Sequence, residues 1–415
     1  MVKIVNFPLP RSISNGFGQR NGKGVPPPGK FRIKLYLELS QTRLPVKEKL
    51  VALLLAIAAI LPGAIPAQPL SHVFQSGAEG YACFRIPAIV RTNQGILLAF
   101  AEGRKNNCGD SGDIDLVLKR STDGGKSWSA LSVVWDDSGN TCGNPAPVVD
   151  RRTGKIVLLS TWNLGADREP QIIDGASRDT RRVFVMHSSD DGKTWSAARE
   201  ITPQVKQPDW TWYATGPVNG IQLRKGKYKN RLIIPCDHIE AGTKKYYSHT
   251  IHSDDGGTTW ALGGTTPSDQ VNESTVAELP GGKLLLNMRN YTSVRIRQTA
   301  WSRDGGATWS PLRGDTALIE PVCQASLLRY DAPGRKPFLA FSNPASQTSR
   351  VHMTVRISYD HGKTWMRKAL VHEGPSAYSN LVVLPNGNLG LLFEGGAKSP
   401  YEGIAFQELL LSRFE

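Results

Sequence analysis

The chain has 415 residues, 40% of them apolar and 21% charged, with a formal net charge of +14. That length exceeds an ordinary single core but suits an architecture that grows by adding copies of one unit. The charge does not demand a polyanionic partner such as nucleic acid, because residues 1–49 hold ten Lys or Arg against only Glu38 and Glu48, leaving +6 for the rest. Such a mild bias suits an anionic small substrate and is equally an ordinary solubility feature.

Leu50 to Leu61 is an uninterrupted apolar run preceded by Lys47 and Lys49, broken at Pro62-Gly63 and followed by Ala64-Ile65-Pro66-Ala67. It reads as a secretory signal covering residues 50–67, too short to span a bilayer comfortably. The basic extension, residues 1–49, is expected to be disordered or to precede a native start near Val46. Export to the periplasm, the cell surface or the medium follows. Five Cys (83, 108, 142, 236 and 323) leave the pairing open and at least one thiol free. No C-x-x-C or H-E-x-x-H array occurs, so neither a metal nor a cofactor is expected.

The folded part is expected at residues 68–415. It opens with Tyr81 to Val90, where Arg85 stands alone in an apolar strand. A buried guanidinium needs an anion, either a structural carboxylate or a ligand's. Ala101 to Asp115 follows, a Gly-rich loop holding Asp110, Asp113 and Asp115, which by itself is calcium-like or simply solvated. Next comes Ser121 to Trp128, spelling S-x-D-x-G-x-[ST]-W, and the pattern returns from Ser188, Ser253, Ser302 and Ser358. In each copy Ser and Asp can bond nearby backbone N–H groups, Gly supplies a positive φ and Trp anchors the turn.

Five copies at a mean interval of about 59 residues, with short alternating strands between them such as Lys155–Ser160 and Lys283–Asn287, predict an all-β fold. The interval matches one four-stranded antiparallel blade, so the expected architecture is a six-bladed β-propeller with one blade lacking a box.

Phe84-Arg85-Ile86-Pro87 followed by five such boxes resembles the exo-sialidase (neuraminidase) family of bacterial type, over about Ser71 to Glu415. The resemblance implies three arginines around a sialic acid carboxylate, matched by Arg85, by Arg289 in L-N-M-R-N and by Arg350 in F-S-N-P-A-S-Q-T-S-R. Tyr378 matches the nucleophile, Glu273 its general base, and Glu394 the acid that orients the first arginine. Asp110, six residues after Arg104, is similar to the acid/base; Asp113 and Asp115 lack that spacing. Arg104 resembles the contact to the sugar's 4-hydroxyl, with Asn144 beside it, and Trp210 to Pro217 resembles a pocket-wall segment.

A neutral phenol suits a substrate whose anomeric carbon bears a carboxylate, and a nearby carboxylate can take its proton during attack. Sialidases are a known Tyr-nucleophile exception to the two-carboxylate scheme. The implied function is a retaining exo-α-sialidase, a glycosidase acting on terminal sialic acid of glycoproteins, glycolipids and oligosaccharides through a sialyl-tyrosine intermediate. A monomer is expected. The alternatives are a trans-sialidase, which shares these residues, and a non-catalytic Asp-box propeller acting as a binding module.

Overall fold

The computed structural model describes residues 70–414; the basic extension, the apolar run and the expected cleavage region lie outside the described residues. Among those described, the strands form successive antiparallel meanders of four. The first is Cys83–Arg91, Leu97–Arg104, Ile114–Ser121 and Ser132–Trp135; the second is Thr141–Val149, Ile156–Asn163, Arg182–Ser188 and Arg199–Glu200. The third is Trp210–Thr215, Leu232–Glu240, Tyr246–Ser253 and Ala261–Thr265, with Ile221–Gln222 paired beside it. Val271–Glu278, Leu284–Asn290, Ile296–Ser302 and Arg313–Ile319 make the fourth.

The fifth holds Ser326–Tyr330, Phe338–Pro344 and Val351–Ser358 and is completed by the first half of the long strand Arg367–Val383. The second half of that strand begins the sixth, which continues through Leu389–Gly395 and Gly403–Leu409. His72–Gln75 then pairs with Gly403–Leu409, so the first described strand completes the last meander. Helices are confined to single turns such as Glu169–Ile173, and none among the described residues is long and apolar enough to cross a membrane.

Alternation along the strands gives each meander two apolar faces, and each face is buried against its neighbour. Ala88, Leu98 and Phe100 of the first pack on Ile156, Leu158 and Met186 of the second. Clusters of the same kind join the second to the third, the third to the fourth, the fourth to the fifth and the fifth to the sixth. Phe74, Leu392 and Ile404 of the sixth pack on Phe84, Ile89 and Ala99 of the first.

The five boxes adopt one geometry. Ser121 Oγ donates to Asp123 Oδ1 at 2.8 Å and accepts from Gly125 N at 2.8 Å, while Ser127 donates through its amide and its hydroxyl to the Asp123 carboxylate. Ser302, Asp304, Gly306 and Thr308 repeat the scheme. The sequence leads one to expect a staple between two strands, but the box also seals neighbouring meanders. Gly125 has φ 93°, and a Cβ there would lie 2.1 Å from the Phe406 ring of the sixth meander. Trp128 meets the same ring edge-on at 5.4 Å, so the turn is locked onto its neighbour. The sixth meander has no box for a simple reason: its fourth strand comes from the other end of the described chain, so no hairpin joins it to the third.

Candidate active site

The first strands of all the meanders but the fifth line a cavity of about 220 Å³. Several of them carry a β-bulge near the cavity: between Arg85 and Ala88, Gly143 and Ala146, Val271 and Ser274, and Ser376 and Ser379. Pro87 and Pro145 sit in two of these, where a residue without an N–H cannot continue the ladder. The residues just before them, Ile86 at φ 59° and Asn144 at φ 53°, take the left-handed region that a β-branched side chain in particular avoids. The strict in–out alternation is thereby broken, and Arg85, Asn144, Glu273 and Tyr378 all face one cavity. A larger cavity of about 560 Å³ lies at the opposite ends of the same strands, past Ile89, Val148, Ala277 and Leu381, whereas Tyr378 and Glu273 line the smaller one.

Tyr378 is 6% exposed, and its Oη donates to Glu273 Oε1 at 2.5 Å. Burial and the adjacent Glu273 carboxylate push its phenol well above the usual range, against the opposing pull of Arg289, Arg350 and Arg85. Tyr378 is therefore a neutral phenol with its proton already aimed at a base. Arg289 bridges the pair: its Nη1 donates to Glu273 Oε2 at 2.6 Å and to Tyr378 Oη at 3.1 Å, while its Nε is buried without a partner.

Arg85 and Arg350 stand on the same phenol, their guanidinium carbons 5.1 and 5.6 Å from its ring centroid. The three arginines named from sequence thus meet around Tyr378 although 265 positions separate the first from the last. Glu394 lies beneath them, fully buried. It accepts from Arg85 Nε at 3.2 Å, and its two oxygens also take the backbone amides of Ile86 and Tyr378, tying the bulged first strand to the strand that carries Tyr378. With Arg85 Nη2 as a fourth donor at 3.5 Å, both oxygens of this buried side chain are satisfied. Among the described residues Arg350 has no acid partner; it donates to Tyr401 Oη and to the Val322 carbonyl.

Asp110 is the exposed member, its side chain 58% accessible on the loop before Ile114–Ser121. Its Oδ1 meets Arg104 Nη1 at 2.8 Å and Arg85 Nη1 at 3.1 Å. Partial burial would raise this carboxyl, but Arg104 and Arg85 outweigh it and hold it below the usual range. Arg104 also donates to Glu102 and to the carbonyls of Cys108 and Gly109, so it fixes the loop that carries Asp110 and has little capacity left for a ligand. Cys83 and Cys108 form a disulfide that pins the same loop to the first strand, while Cys142, Cys236 and Cys323 are free and buried.

Eight of the nine residues singled out from sequence line the cavity, and the ninth, Glu394, supports it from below. Asn144 faces the cavity, but its Oδ1 is occupied by Thr161 and Arg181. Arg181 had left no mark. It is 3% exposed, donates to Asn144, Asn163 and the Tyr213 carbonyl, and stacks 4.0 Å from the centroid of Trp212, the pocket-wall tryptophan. Asp237, Asn272, Glu169 and Tyr401 also line the cavity without having been anticipated. Among the described residues no cluster of His, Cys, Asp and Glu is arranged to hold a metal ion.

Comparison with known proteins follows the same lines. Residues 95–391 match the family model described as a BNR repeat-like domain. The chain is 35% identical to a sialidase of Micromonospora viridifaciens over 84% of its own length and 55% of the relative's, so it spans little more than half of that protein. It is likewise 35% identical to an exo-alpha-sialidase of Aspergillus fumigatus, over 80% of this chain and 85% of the relative. Among solved structures, a Hadza microbial sialidase superposes with a TM-score of 0.76 at 31% identity, covering 83% of this chain and 69% of that one. With the repeat, the fold and most of its length shared, the chain belongs to the sialidase family.

Proposed function

We propose that this chain is a retaining exo-α-sialidase built as a six-bladed β-propeller, each meander being a blade and the cavity the mouth of the central channel. The observation that carries the reading is the Tyr378–Glu273 contact inside a ring of three arginines. Three guanidiniums gathered on one phenol favour an anion held between them, and Arg350, which forms no salt bridge among the described residues, has the guanidinium most free to take a carboxylate.

With the sialic acid carboxylate on Arg85, Arg289 and Arg350, C2 of the sugar lies over Tyr378. The phenol oxygen bonds to C2 as its proton passes to Glu273, the glycosidic C2–O bond breaks, and Asp110 gives a proton to the departing oxygen. Asp110 must be protonated for this. A substrate carboxylate seated on Arg85 adds negative charge beside Asp110 and occupies the N–H that had held it, and both effects raise its affinity for a proton. In the second half Asp110 takes a proton from water, the water oxygen bonds to C2, and Tyr378 departs and recovers its proton from Glu273. Two displacements retain configuration.

The substrates proposed are terminal sialosides of glycoproteins, glycolipids and oligosaccharides. Export is proposed with them, since the Cys83–Cys108 disulfide suits an oxidising compartment. A fluorogenic sialoside, with and without lactose, tests the activity. Free sialic acid in both cases supports hydrolysis. Dominant transfer to lactose would make the protein a trans-sialidase, and no release would make it a binding module.

A further inference from the structure

The larger cavity, of about 560 Å³, has no task in the scheme above. Four meanders each send one arginine to it. Arg91 ends the first strand of the first, Arg151 lies in the turn after Thr141–Val149 of the second, Arg224 follows Ile221–Gln222 of the third, and Arg329 belongs to Ser326–Tyr330 of the fifth. The Arg151 amide donates to Gln222 Oε1 at 2.9 Å and its Nη2 to the Gln222 carbonyl at 2.8 Å, while Asn93 Nδ2 donates to the Arg151 carbonyl at 3.0 Å. Arg329 Nη1 donates to the Glu278 carbonyl at 3.0 Å. The Arg91 guanidinium forms no hydrogen bond or ion pair among the described residues, and the charge acting on it is that of Arg224, of its own sign.

The carboxylates nearby are too few. Asp331 is shared, pairing with Arg224 and lying 3.6 Å from Arg329 Nε. Glu278 lines the cavity, but its oxygens take the backbone amides of Arg224 at 2.9 Å and Lys225 at 3.1 Å. Asp150, the third acid acting on Arg151, is matched by Arg152 at 3.5 Å. Counting Arg152 with the four, five guanidiniums against three carboxylates leave a formal surplus of two positive charges (5 − 3). Burial and the charge of Arg224 hold Arg91 and Arg151 below the ordinary arginine range, in Arg151 against the pull of all three acids, as expected of like charges short of a counter-ion. Residues 1–69 bring no surplus of acid, with ten Lys or Arg against Glu38 and Glu48.

What is missing is negative charge in a form that fits guanidinium forks. Among the described residues no lysine lines the cavity, and arginine grips a planar or tetrahedral oxyanion with two parallel N–H bonds. A carboxylate or a sulfate ester brings one charge. A phosphate monoester brings about 1.5 to 2 at neutral pH, with three acceptor oxygens, and so meets the surplus. The cavity is concave and falls in the size range of small-molecule sites, roughly 300–1,000 Å³. Its apolar strand ends, interrupted by the amides of Gln94 and Asn219, suit the C–H faces and hydroxyls of a sugar. We propose that the larger cavity is a second ligand site, separate from the smaller one, that binds a sugar phosphate with its phosphate among Arg91, Arg151 and Arg224.

Glucose 6-phosphate is the probe, titrated calorimetrically into the full chain beside glucose and glucose 6-sulfate. Glucose should give no binding heat, and the sulfate should bind about tenfold or more weaker than the phosphate. Arg91→Ala removes a side chain without a partner, so the fold should persist while affinity for glucose 6-phosphate falls about tenfold or more. Arg91→Lys keeps the charge and loses the fork, and its affinity should lie between those of wild type and the Ala variant. Arg350→Ala, at the smaller cavity, should leave that affinity within about twofold, and Arg91→Ala should leave sialoside turnover within about twofold. An affinity that Arg91→Ala leaves unchanged, that Arg350→Ala abolishes or that glucose 6-sulfate equals would overturn the assignment. So would binding to vesicles bearing phosphatidic acid with none to glucose 6-phosphate, or no binding at all. None of these outcomes depends on sialoside turnover, so the hydrolase reading stands or falls separately.

Discussion

Tyr378 Oη and Glu273 Oε1 lie 2.5 Å apart although 105 positions separate them, and Arg289 Nη1 touches both. The phenol is neutral and its proton points at the carboxylate, so the chemical step needs no side chain to move. Tyr378→Phe deletes one oxygen from a buried ring and should leave the fold intact. Turnover of sialosides should fall by about a thousandfold or more, while binding of a non-hydrolysable sialic acid analogue, followed by calorimetry, stays near wild type. A Phe variant that turns over at the wild-type rate would remove the tyrosine from the mechanism.

Asp110 should reveal itself through the leaving group. Asp110→Ala removes the proposed proton donor, so natural glycosides, whose alkoxide departs poorly, should lose roughly a hundredfold or more in kcat, and an activated aryl sialoside far less. Because Arg104 and Arg85 hold this carboxyl below its usual range in the free protein, its protonated fraction grows as the pH falls. The kcat/KM of wild type on natural glycosides should therefore rise toward acid pH, and that rise should be absent in Asp110→Ala. Identical losses on both leaving groups would show that Asp110 does not carry the proton.

Legibility in the sequence followed the range of the interactions. The box could be read outright because its hydrogen bonds close within four residues, from Ser121 to Gly125 and from Asp123 to Ser127. Arg85 was legible as a lone charge in an apolar strand, and Asn144 only through the family resemblance. Arg181 was not, since it adjoins Arg182 and nothing in the pair says which faces inward; one is 3% exposed and the other points outward to Asp179 and Glu200. Asp237 sits within I-I-P-C-D-H-I, which reads as a buried strand, and a lone acid there looks like a paired one until its neighbours are known. The Cys83–Cys108 bond likewise depends on a contact that spacing does not encode.

The boxes predict an acid limit on stability. Burial is the largest single influence on Asp255 and raises it, but the Thr259 hydroxyl and amide, the Ser253 hydroxyl and the Thr258 amide together outweigh it and bring it down to about 2, and Asp360 is brought to about 2 by the same kind of bonds, from Thr364 and Ser358. Both are depressed from the unfolded value of about 3.9, so their contribution is complete above that pH and is lost as pH falls from about 4 toward 2. The contribution of the boxes to the melting temperature, read as the difference between wild type and a box variant, should thus be flat between pH 7 and 5 and shrink below 4. Asp360→Asn should melt lower than wild type at pH 6 and show a shallower acid drop. Parallel curves for the two proteins would exclude the box from the acid response.

The disulfide joins the stability of the chain to the reach of its acid. Cys83 stands two residues before Arg85, and Cys108 two residues before Asp110. The bond therefore anchors the acid loop at the edge of the carboxylate site, where Arg104 grips the carbonyls of Cys108 and Gly109. A cross-link spanning 25 positions restricts the unfolded chain by about 3 kcal/mol on loop-closure grounds. Cys83→Ser combined with Cys108→Ser should lower the melting temperature accordingly. Below the melting temperature Arg104 still holds the loop, but less tightly, so the expected kinetic signature is that of a displaced proton donor. The kcat on natural glycosides should fall several-fold, with little change on an activated aryl sialoside. Dithiothreitol should reproduce this pattern in wild type and leave the double variant unaffected. Equal loss on both substrates would instead mean that the bond supports the fold alone and that Arg104 suffices to place Asp110.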